Sequence, residues 1–119
     1  MEDFFQNVVK VRKGNLSKMF VHNLDEKVAN TSVRELLRIS FSAVGIEVEF
    51  SGKGKHEKGV LIDINESILK SHNSTFDHLH FGTTLIQVDG ELPSFKSNDV
   101  KEDQLEQYIK SNIQKILKN

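Results

Sequence analysis

The chain has 119 residues, 37% of them hydrophobic and 28% charged, which is the length and balance of one ordinary globular domain. Sixteen basic and seventeen acidic side chains leave a formal net charge of −1. This argues against a nucleic-acid binder, because such proteins carry clustered excess positive charge. The sequence contains no cysteine, which excludes disulfides, thiolate metal sites and a cysteine nucleophile. No apolar run approaches the roughly 18 residues of a membrane span, and the N-terminus lacks the regions of a signal peptide. We therefore expect a cytoplasmic protein without a membrane segment.

The first part of the chain predicts a helix, a short strand and a second helix. Apolar side chains recur at helical spacing over residues 3–13, and Gly14 suits the end of such a helix. Lys18-Met-Phe-Val21 is a short apolar run that predicts a strand. Ser32-Val-Arg-Glu35 matches a capping box, in which the serine hydroxyl and the glutamate carboxylate each accept from a free helix amide. The apolar stripe after it predicts the clearest helix in the chain, which Gly45 ends.

The rest of the chain predicts three further strands and a final helix. Ile46, Val48 and Phe50 alternate with Glu47 and Glu49, as in a strand with one buried face, and Val60, Ile62 and Ile64 are expected to continue this alternation in a second strand. Residues 65–82 are polar and irregular, and Thr83 to Val88 predicts another strand. Asn98 or Asp99 then caps a helix that has one apolar face.

Together these elements predict an α+β fold in a single small domain that spans residues 1–119. We expect a short mixed sheet of about three to four strands and three helices, including a long C-terminal amphipathic helix. The stripe on this last helix either covers the domain's own sheet or forms an interaction surface for a partner, including a second copy in a dimer. Its residues are Leu105, Ile109, Ile113 and Ile116.

A glycine-rich segment, Gly52 to Gly59, offers one candidate ligand site because Lys53, Lys55 and Lys58 lie within it. The segment matches neither the P-loop pattern nor the dinucleotide fingerprint. It also leads from one predicted strand into another, so no helix N-terminus is available to an anion. The pattern therefore favours a solvated hairpin connection, in which the three lysines still attract phosphate.

Four residues in the irregular segment, His72, Asp77, His78 and His80, are the candidate metal ligands. Imidazole is a common ligand, but no further ligand stands at a recognisable spacing. We therefore expect no bound metal and ordinary surface histidines. No Gly-x-Ser-x-Gly elbow accompanies the serines, which argues against a hydrolytic triad.

Two stretches of the sequence, in the same order, resemble segments of a known family. The first lies between Val8 and Lys27 and ends in Asn23-Leu-Asp-Glu-Lys27; the second runs from Ser32 to Asn65 and contains Val44-Gly-Ile-Glu47 and Val60-Leu-Ile-Asp-Ile-Asn65. They resemble the segments LYLGNLDAKRDWG and SVREF…VGIEIEW of the GDP-mannose 4,6-dehydratases, in their C-terminal substrate-binding portion. The matches cover a little under half of the chain directly.

The same resemblance implies that the catalytic parts of the family are missing. The cofactor-binding half, with its glycine-rich fingerprint, has no counterpart. The family moves protons with a Tyr-x-x-x-Lys pair, whereas Tyr108 is followed by Ile-Lys-Ser-Asn. A shortening after Lys27 removes a substrate-contacting arginine. Lys70 falls where the family has a nucleotide-binding arginine, and it replaces the charge but not the bidentate fork.

The resemblance therefore implies a non-catalytic interaction or regulatory protein built on a dehydratase-like remnant, with no cofactor. We expect a protein partner or self-association. The alternative is a small-molecule binding module for a nucleotide sugar or another phosphate ligand, held by Lys53, Lys55, Lys58 and Lys70. A third hypothesis, an enzyme that uses the histidines with a metal, ranks last.

Overall fold

The structure is a computed structural model that describes residues 2–28, 31–71, 78–91 and 105–117. This part of the chain contains four α-helices and six strands, and a single 3₁₀ turn (Gly54–His56) in one connection. In chain order they are α1 (Glu2–Lys13), β1 (Met19–Val21), β2 (Lys27–Val28), β3 (Thr31–Ser32), α2 (Val33–Ala43), β4 (Ile46–Ser51), β5 (Lys58–Ile64), α3 (Glu66–Ser71), β6 (Thr84–Val88) and α4 (Leu105–Leu117).

Four of the strands form one mixed sheet in the order β1-β6-β5-β4. β1 runs parallel to β6, whereas the β6–β5 and β5–β4 pairs are antiparallel. β2 and β3 pair with each other as a separate two-stranded ribbon. The mixed α and β content and the four-stranded mixed sheet confirm the fold class expected from the sequence.

Three helices form a layer on one face of this sheet. α1 packs beside β1, α2 packs on β4, and α4 packs on α1 and α2. Apolar side chains from both layers make one buried core that includes Phe5, Leu36, Leu37, Phe41, Ile46, Leu61, Ile86, Ile109 and Ile113. Burial of each such side chain stabilises the fold by roughly 1.5–3 kcal/mol, so this layer contact is the main source of stability.

The end of α1 is tied to the rest of the domain by hydrogen bonds. The side chain of Arg12 is buried, and its Nε donates to the carbonyl oxygen of Val44 at the end of α2 (3.2 Å). His78 donates from Nε2 to the carbonyl oxygen of Arg12 (2.6 Å). Because a carbonyl oxygen only accepts, this bond places the proton of His78 on Nε2.

One expectation about the helices was wrong, and the long C-terminal amphipathic helix is not confirmed, since α4 has 13 residues. The described residues contain four α-helices instead of three, because α3 lies in the segment expected to be irregular. Its beginning is capped by Asn65, whose Oδ1 accepts from the amide of Ile68 (3.2 Å). The β2–β3 ribbon was also not foreseen. The predicted start of the last helix at Asn98 or Asp99 lies outside the described residues.

The capping box of α2 is formed only in part. Ser32 Oγ accepts from the amide of Glu35 (3.2 Å), as expected. The Glu35 carboxylate, however, accepts from Arg38 Nε (2.9 and 3.0 Å), one turn further along the helix. This i,i+3 ion pair on the helix surface takes the place of the predicted return bond.

We predict that Gly52→Ala destabilises the fold by about 2 kcal/mol or more, because its backbone conformation and its surroundings both oppose a side chain. Gly52 has a φ of 89°, and an added Cβ would lie 2.6 Å from the carbonyl oxygen of His56. Gly54 is the matched control: its φ is 56°, but an added Cβ meets nothing within 4 Å, so Gly54→Ala costs about 1 kcal/mol. Urea denaturation measures both, and equal losses would contradict the steric argument.

Candidate functional site

One end of the sheet brings together several loops with polar side chains. The parallel strands β1 and β6 both end here, and the amide of Asp89 after β6 donates to the carbonyl oxygen of Val21 (2.8 Å). β5 begins at the same end, since Lys58 lies opposite Gln87. In sheets with parallel strands, ligands commonly bind beyond the carboxyl ends of the strands, which makes this end the first candidate site.

Arg34, in the first turn of α2, links three segments at this end. Its Nε donates to Glu57 Oε2 (2.6 Å), and its Nη2 donates to Glu57 Oε1 (2.5 Å) and to Asp25 Oδ1 (2.8 Å). The Glu57 side chain is 10% exposed, whereas that of Asp25 is 70% exposed. The bidentate contact with Glu57 is therefore the stronger of the two. It joins the helix to the β4–β5 connection.

These contacts shift the pKa values of the charged groups in known directions. The hydrogen bond with Glu57 raises the pKa of Arg34, and Asp25 adds to that effect. Arg38 lowers the pKa of Glu35 through their side-chain hydrogen bond. The Glu35–Arg38 pair therefore stabilises the fold above the pKa of a free glutamate, and this contribution is lost as the pH falls through the lowered pKa. Burial lowers the pKa of Arg12.

Three of the four predicted phosphate-binding lysines lie at this end. Lys53 and Lys55 are exposed in the β4–β5 connection, and Lys58 is exposed at the start of β5. Lys70 belongs to α3, which begins beyond the other end of β5. A seven-residue strand, about 23 Å long, separates the two groups. The structure thus brings Lys53, Lys55 and Lys58 into one region and leaves Lys70 in another.

The histidine candidates are spread over described and undescribed parts of the chain. His72 and Asp77 lie outside the described residues. Nε2 of His78 is engaged by the carbonyl of Arg12, and its ring lies close to Gly14. His80 is exposed. Over the ranges that the structure describes, no three His, Asp or Glu side chains are arranged to hold a metal ion.

The apolar stripe of α4 lies inside the domain where it can be described. Ile109 and Ile113 are fully buried, and α4 packs mainly on α1 and α2 instead of on the sheet. These two side chains are therefore not available to a partner in this structure. The side chains of Leu105 and Ile116 lie outside the described set.

The face of the sheet that points away from the helices, here called the outer sheet face, carries exposed apolar side chains. Phe20 of β1 is 47% exposed and Ile62 of β5 is 48% exposed. Lys18 Nζ lies 5.7 Å from the centre of the Phe20 ring and donates to Gln87 Oε1 (2.9 Å). The outer sheet face is formed by Phe20, Glu49, Ser51, Lys58, Val60, Ile62, Asp63, Thr84 and Gln87.

The expectation that Val60, Ile62 and Ile64 share the buried face of β5 is wrong, because Leu61 is the buried residue and Ile62 is exposed. Val60, Leu61 and Ile62 are three successive apolar residues, so alternation cannot bury all of them. The pairing register of β5 with β4 shifts after Leu61, and Ile62 and Asp63 are both exposed. Such a shift is typical of a β-bulge, which turns two neighbouring side chains outwards.

A surface groove of about 340 Å³ lies between α2, α3 and α4. Arg38 and Lys110 give it positive charge, and Ile39 and Ile68 give it apolar walls. Its polar groups are engaged: Arg38 is paired with Glu35, Ser42 Oγ donates to Glu47 Oε1 (2.9 Å), and Lys110 has a contact of its own. The groove is therefore a weaker candidate than the end of the sheet at which β1 and β6 end.

No protein-family model matches the chain, and no curated protein matches it. The resemblance to the GDP-mannose 4,6-dehydratases therefore stays a prediction. Among the helices that the structure describes, none combines the length and the apolarity needed to cross a membrane.

We predict a graded loss of stability when the Arg34 cluster is dismantled. Arg34→Ala leaves the nearly buried Glu57 without its partner and costs about 2–4 kcal/mol. Glu57→Gln costs about 1–2 kcal/mol, because Arg34 keeps Asp25. Asp25→Asn costs less than about 1 kcal/mol, since its carboxylate is exposed. Urea denaturation at pH 7 measures all three, and an equal loss for Asp25→Asn and Arg34→Ala would contradict this ranking.

Proposed function

We propose that this chain is a non-catalytic interaction or regulatory protein that binds another folded protein through the outer sheet face. The observation that carries the proposal is the exposure of Phe20 and Ile62 on this face, while the apolar side chains of the helix layer lie in the core. Phe20 and Ile62 lie two strands apart on this face, with polar side chains around them, and a sheet face of mixed apolar and polar character supports a protein-binding role. The proposal includes a cytoplasmic location.

We also propose that the segment from Ser32 to Asn65 is a remnant of a dehydratase-like substrate domain. α2, β4 and β5 follow one another in the order that the resemblance implies. The family's substrate arginine and its Tyr-x-x-x-Lys pair have no counterpart in the sequence. Retention of the packed frame without these residues favours a role for the surface over a role for the old pocket.

The alternative function is a binding module for a nucleotide sugar or another phosphate ligand. It is supported by the position of Lys53, Lys55 and Lys58 at the end of the sheet where ligands commonly bind. Arg34 adds little attraction for an anion, because Glu57 and Asp25 balance its charge. Ile109 and Ile113 of the C-terminal helix belong to the core under either function.

We predict that a photo-crosslinking amino acid placed at Phe20 or Ile62 captures a protein partner in the native cells. Both side chains are half exposed on the outer sheet face, so a partner seated there must approach them. Gln107, which is exposed on α4, is the control position. Mass spectrometry identifies the adducts, and both a second copy and another protein count as partners. Equal capture at Gln107, or no capture at the two sheet positions, would overturn the proposed function.

Thermal unfolding separates the two functions. We predict no concentration-dependent rise in Tm with GDP, GDP-mannose, NADP or divalent metals. A bound ligand at 100 times its Kd would stabilise the native state by about 2.7 kcal/mol, which is a rise of roughly 10 °C for a domain of this size.

A rise with GDP-mannose would establish the alternative instead. In that case the combined change of Lys53, Lys55 and Lys58 to alanine abolishes the shift if these lysines hold the phosphate. Lys70→Ala alone serves as the comparison, because α3 lies beyond the other end of β5.

A further inference from the structure

We propose that the surface around Phe81 and Ile62 binds a short segment of the partner, in which lysine or arginine stands beside an apolar side chain. The inference rests on the proposed function, because it names the chemistry of the partner at one corner of the same surface. It follows from the way in which the backbone presents Phe81 and from the acidic side chains around Ile62. The surface formed by Glu49, Val60, Ile62, Asp63 and Phe81 is here called the Phe81 corner.

Phe81 lies in a hydrogen-bonded turn just before β6. Its side chain is 67% exposed, which is the largest exposure among the large apolar side chains that the structure describes. It is the second residue of the turn, in which the amide of Thr83 donates to the carbonyl oxygen of His80 (3.2 Å). Gly82, the third residue, has a φ of 85°, as a type II turn requires. The backbone that carries Phe81 is therefore fixed.

The same turn is bonded to β5 next to Ile62. The amide of Gly82 donates to the carbonyl oxygen of Leu61 (2.7 Å), and the amide of Leu61 donates to the carbonyl oxygen of Thr83 (2.9 Å). Two residues thus oppose one, as in a β-bulge. The first bond joins the peptide group that follows Phe81 to the peptide group that precedes Ile62. These two exposed residues are therefore neighbours across the two segments.

The two apolar side chains of the Phe81 corner are suited to anchor a partner. Neither Phe81 nor Ile62 belongs to the buried core, so the core does not account for their apolar character. Val60, two residues before Ile62, is half-buried. An aromatic side chain on a fixed backbone loses little conformational freedom when it is bound. Phe81 is therefore the main apolar anchor, and Ile62 extends it over the sheet.

Acidic side chains stand on two sides of Ile62. Asp63 follows it on β5, and Glu49 of β4 pairs with Val60. Both carboxylates are exposed, and neither forms an ion pair within the described part of the chain. Lys58, the lysine of the outer sheet face, is about 13 Å from Ile62 along the strand. A cationic side chain next to the apolar anchor is therefore the complementary partner group.

The size of the surface favours a short segment of the partner over a broad folded face. Four strands about 4.8 Å apart and about 20 Å long present roughly 400 Å² of projected area. A typical stable interface buries about 800 Å² on each partner. An extended segment of about six residues has the length of this sheet. We expect it to bind weakly, with a Kd of the order of 100 µM that rises as salt screens the charges.

Selection from a phage-displayed library of random dodecapeptides tests the chemistry of the occupant. The wild-type chain is the bait, and Phe81→Ser, a change at an exposed side chain, is used for counter-selection. The peptides that require Phe81 are expected to carry lysine or arginine beside an apolar residue at about three times the frequency of the unselected library. Acidic peptides, or apolar peptides without basic residues, overturn the charge argument. The absence of any peptide that requires Phe81 overturns the site.

Fluorescence anisotropy with the strongest selected peptide measures the apolar contacts. Phe81→Ser and Ile62→Ser are each expected to raise the Kd by about tenfold or more. Phe20→Ser is the matched control, because Phe20 is exposed to the same extent as Ile62 but lies two strands away, and it changes the Kd by less than about threefold. An equal loss for Phe20→Ser and Phe81→Ser would show that the contact is not centred on the Phe81 corner.

The charge contribution is measured with variants of nearly unchanged shape. Asp63→Asn keeps the Oδ1 acceptor for the amide of Ile64 (2.8 Å), and Glu49→Gln keeps the length of the side chain. Together they are expected to raise the Kd by about fivefold and to abolish most of its dependence on salt. Glu91→Gln, an exposed change after β6, is the control and leaves both unchanged. A salt dependence that survives in the double variant contradicts the proposed charge pairing.

The outcomes separate this inference from the proposed function. If no selected peptide requires Phe81 while a partner is crosslinked at Phe20 or Ile62 in cells, the basic segment is overturned and the interaction function stands. Peptides that bind with the expected dependence on Phe81, Glu49 and Asp63 support this inference independently of the crosslinks. Far-UV circular dichroism confirms that each variant is folded before its Kd is interpreted.

Discussion

The burial of α2 is the contact on which the rest of the structure depends. One side of this helix packs on β4 and another on α4, and its side chains Leu36, Leu37 and Phe41 have no exposed surface. At its first turn, Arg34 reaches the β4–β5 connection through Glu57. A helix held in this way fixes which face of the sheet is covered. Because α1 and α4 join the same layer, none of these three helices covers the opposite face of the sheet.

Because the helices pack on one face of the sheet, the candidate interaction surface lies on the sheet and not on the helices. The C-terminal stripe that the sequence offers as an interaction surface contributes Ile109 and Ile113 to the core. Of the large exposed apolar side chains, Phe20 and Ile62 lie on strands, and Phe81 lies in the connection before β6. A single-layered sheet face with mixed charges can bind a partner without any rearrangement of the core. The proposed interaction surface is therefore exposed because the helix layer packs on the other face of the sheet.

Local patterns made much of this fold predictable. The Ser32 cap and the apolar stripe after it located α2, and simple alternation located β4, because neighbours in sequence decide these elements. The apolar run of β5 located the strand but not the side chains that it buries. Pairings between distant segments were not predictable in the same way. The parallel contact of β1 with β6, the ion pair of Arg34 with Glu57 and the outward turn of Ile62 all depend on register and tertiary packing. The candidate site was predictable only where its residues are close together in sequence, as Lys53, Lys55 and Lys58 are.

The parallel pairing of β1 with β6 also has a consequence for synthesis of the chain. β1 is made before its hydrogen-bonding neighbour, β6, which emerges only after α2, the β4–β5 hairpin and α3. The hairpin and the helix before it make local contacts and can form as soon as they leave the ribosome. β1 therefore lacks its hydrogen-bonding neighbour until the last strand of the sheet has been made. The order of the strands thus leaves an unpaired strand edge on the growing chain for longer than the local hairpin does.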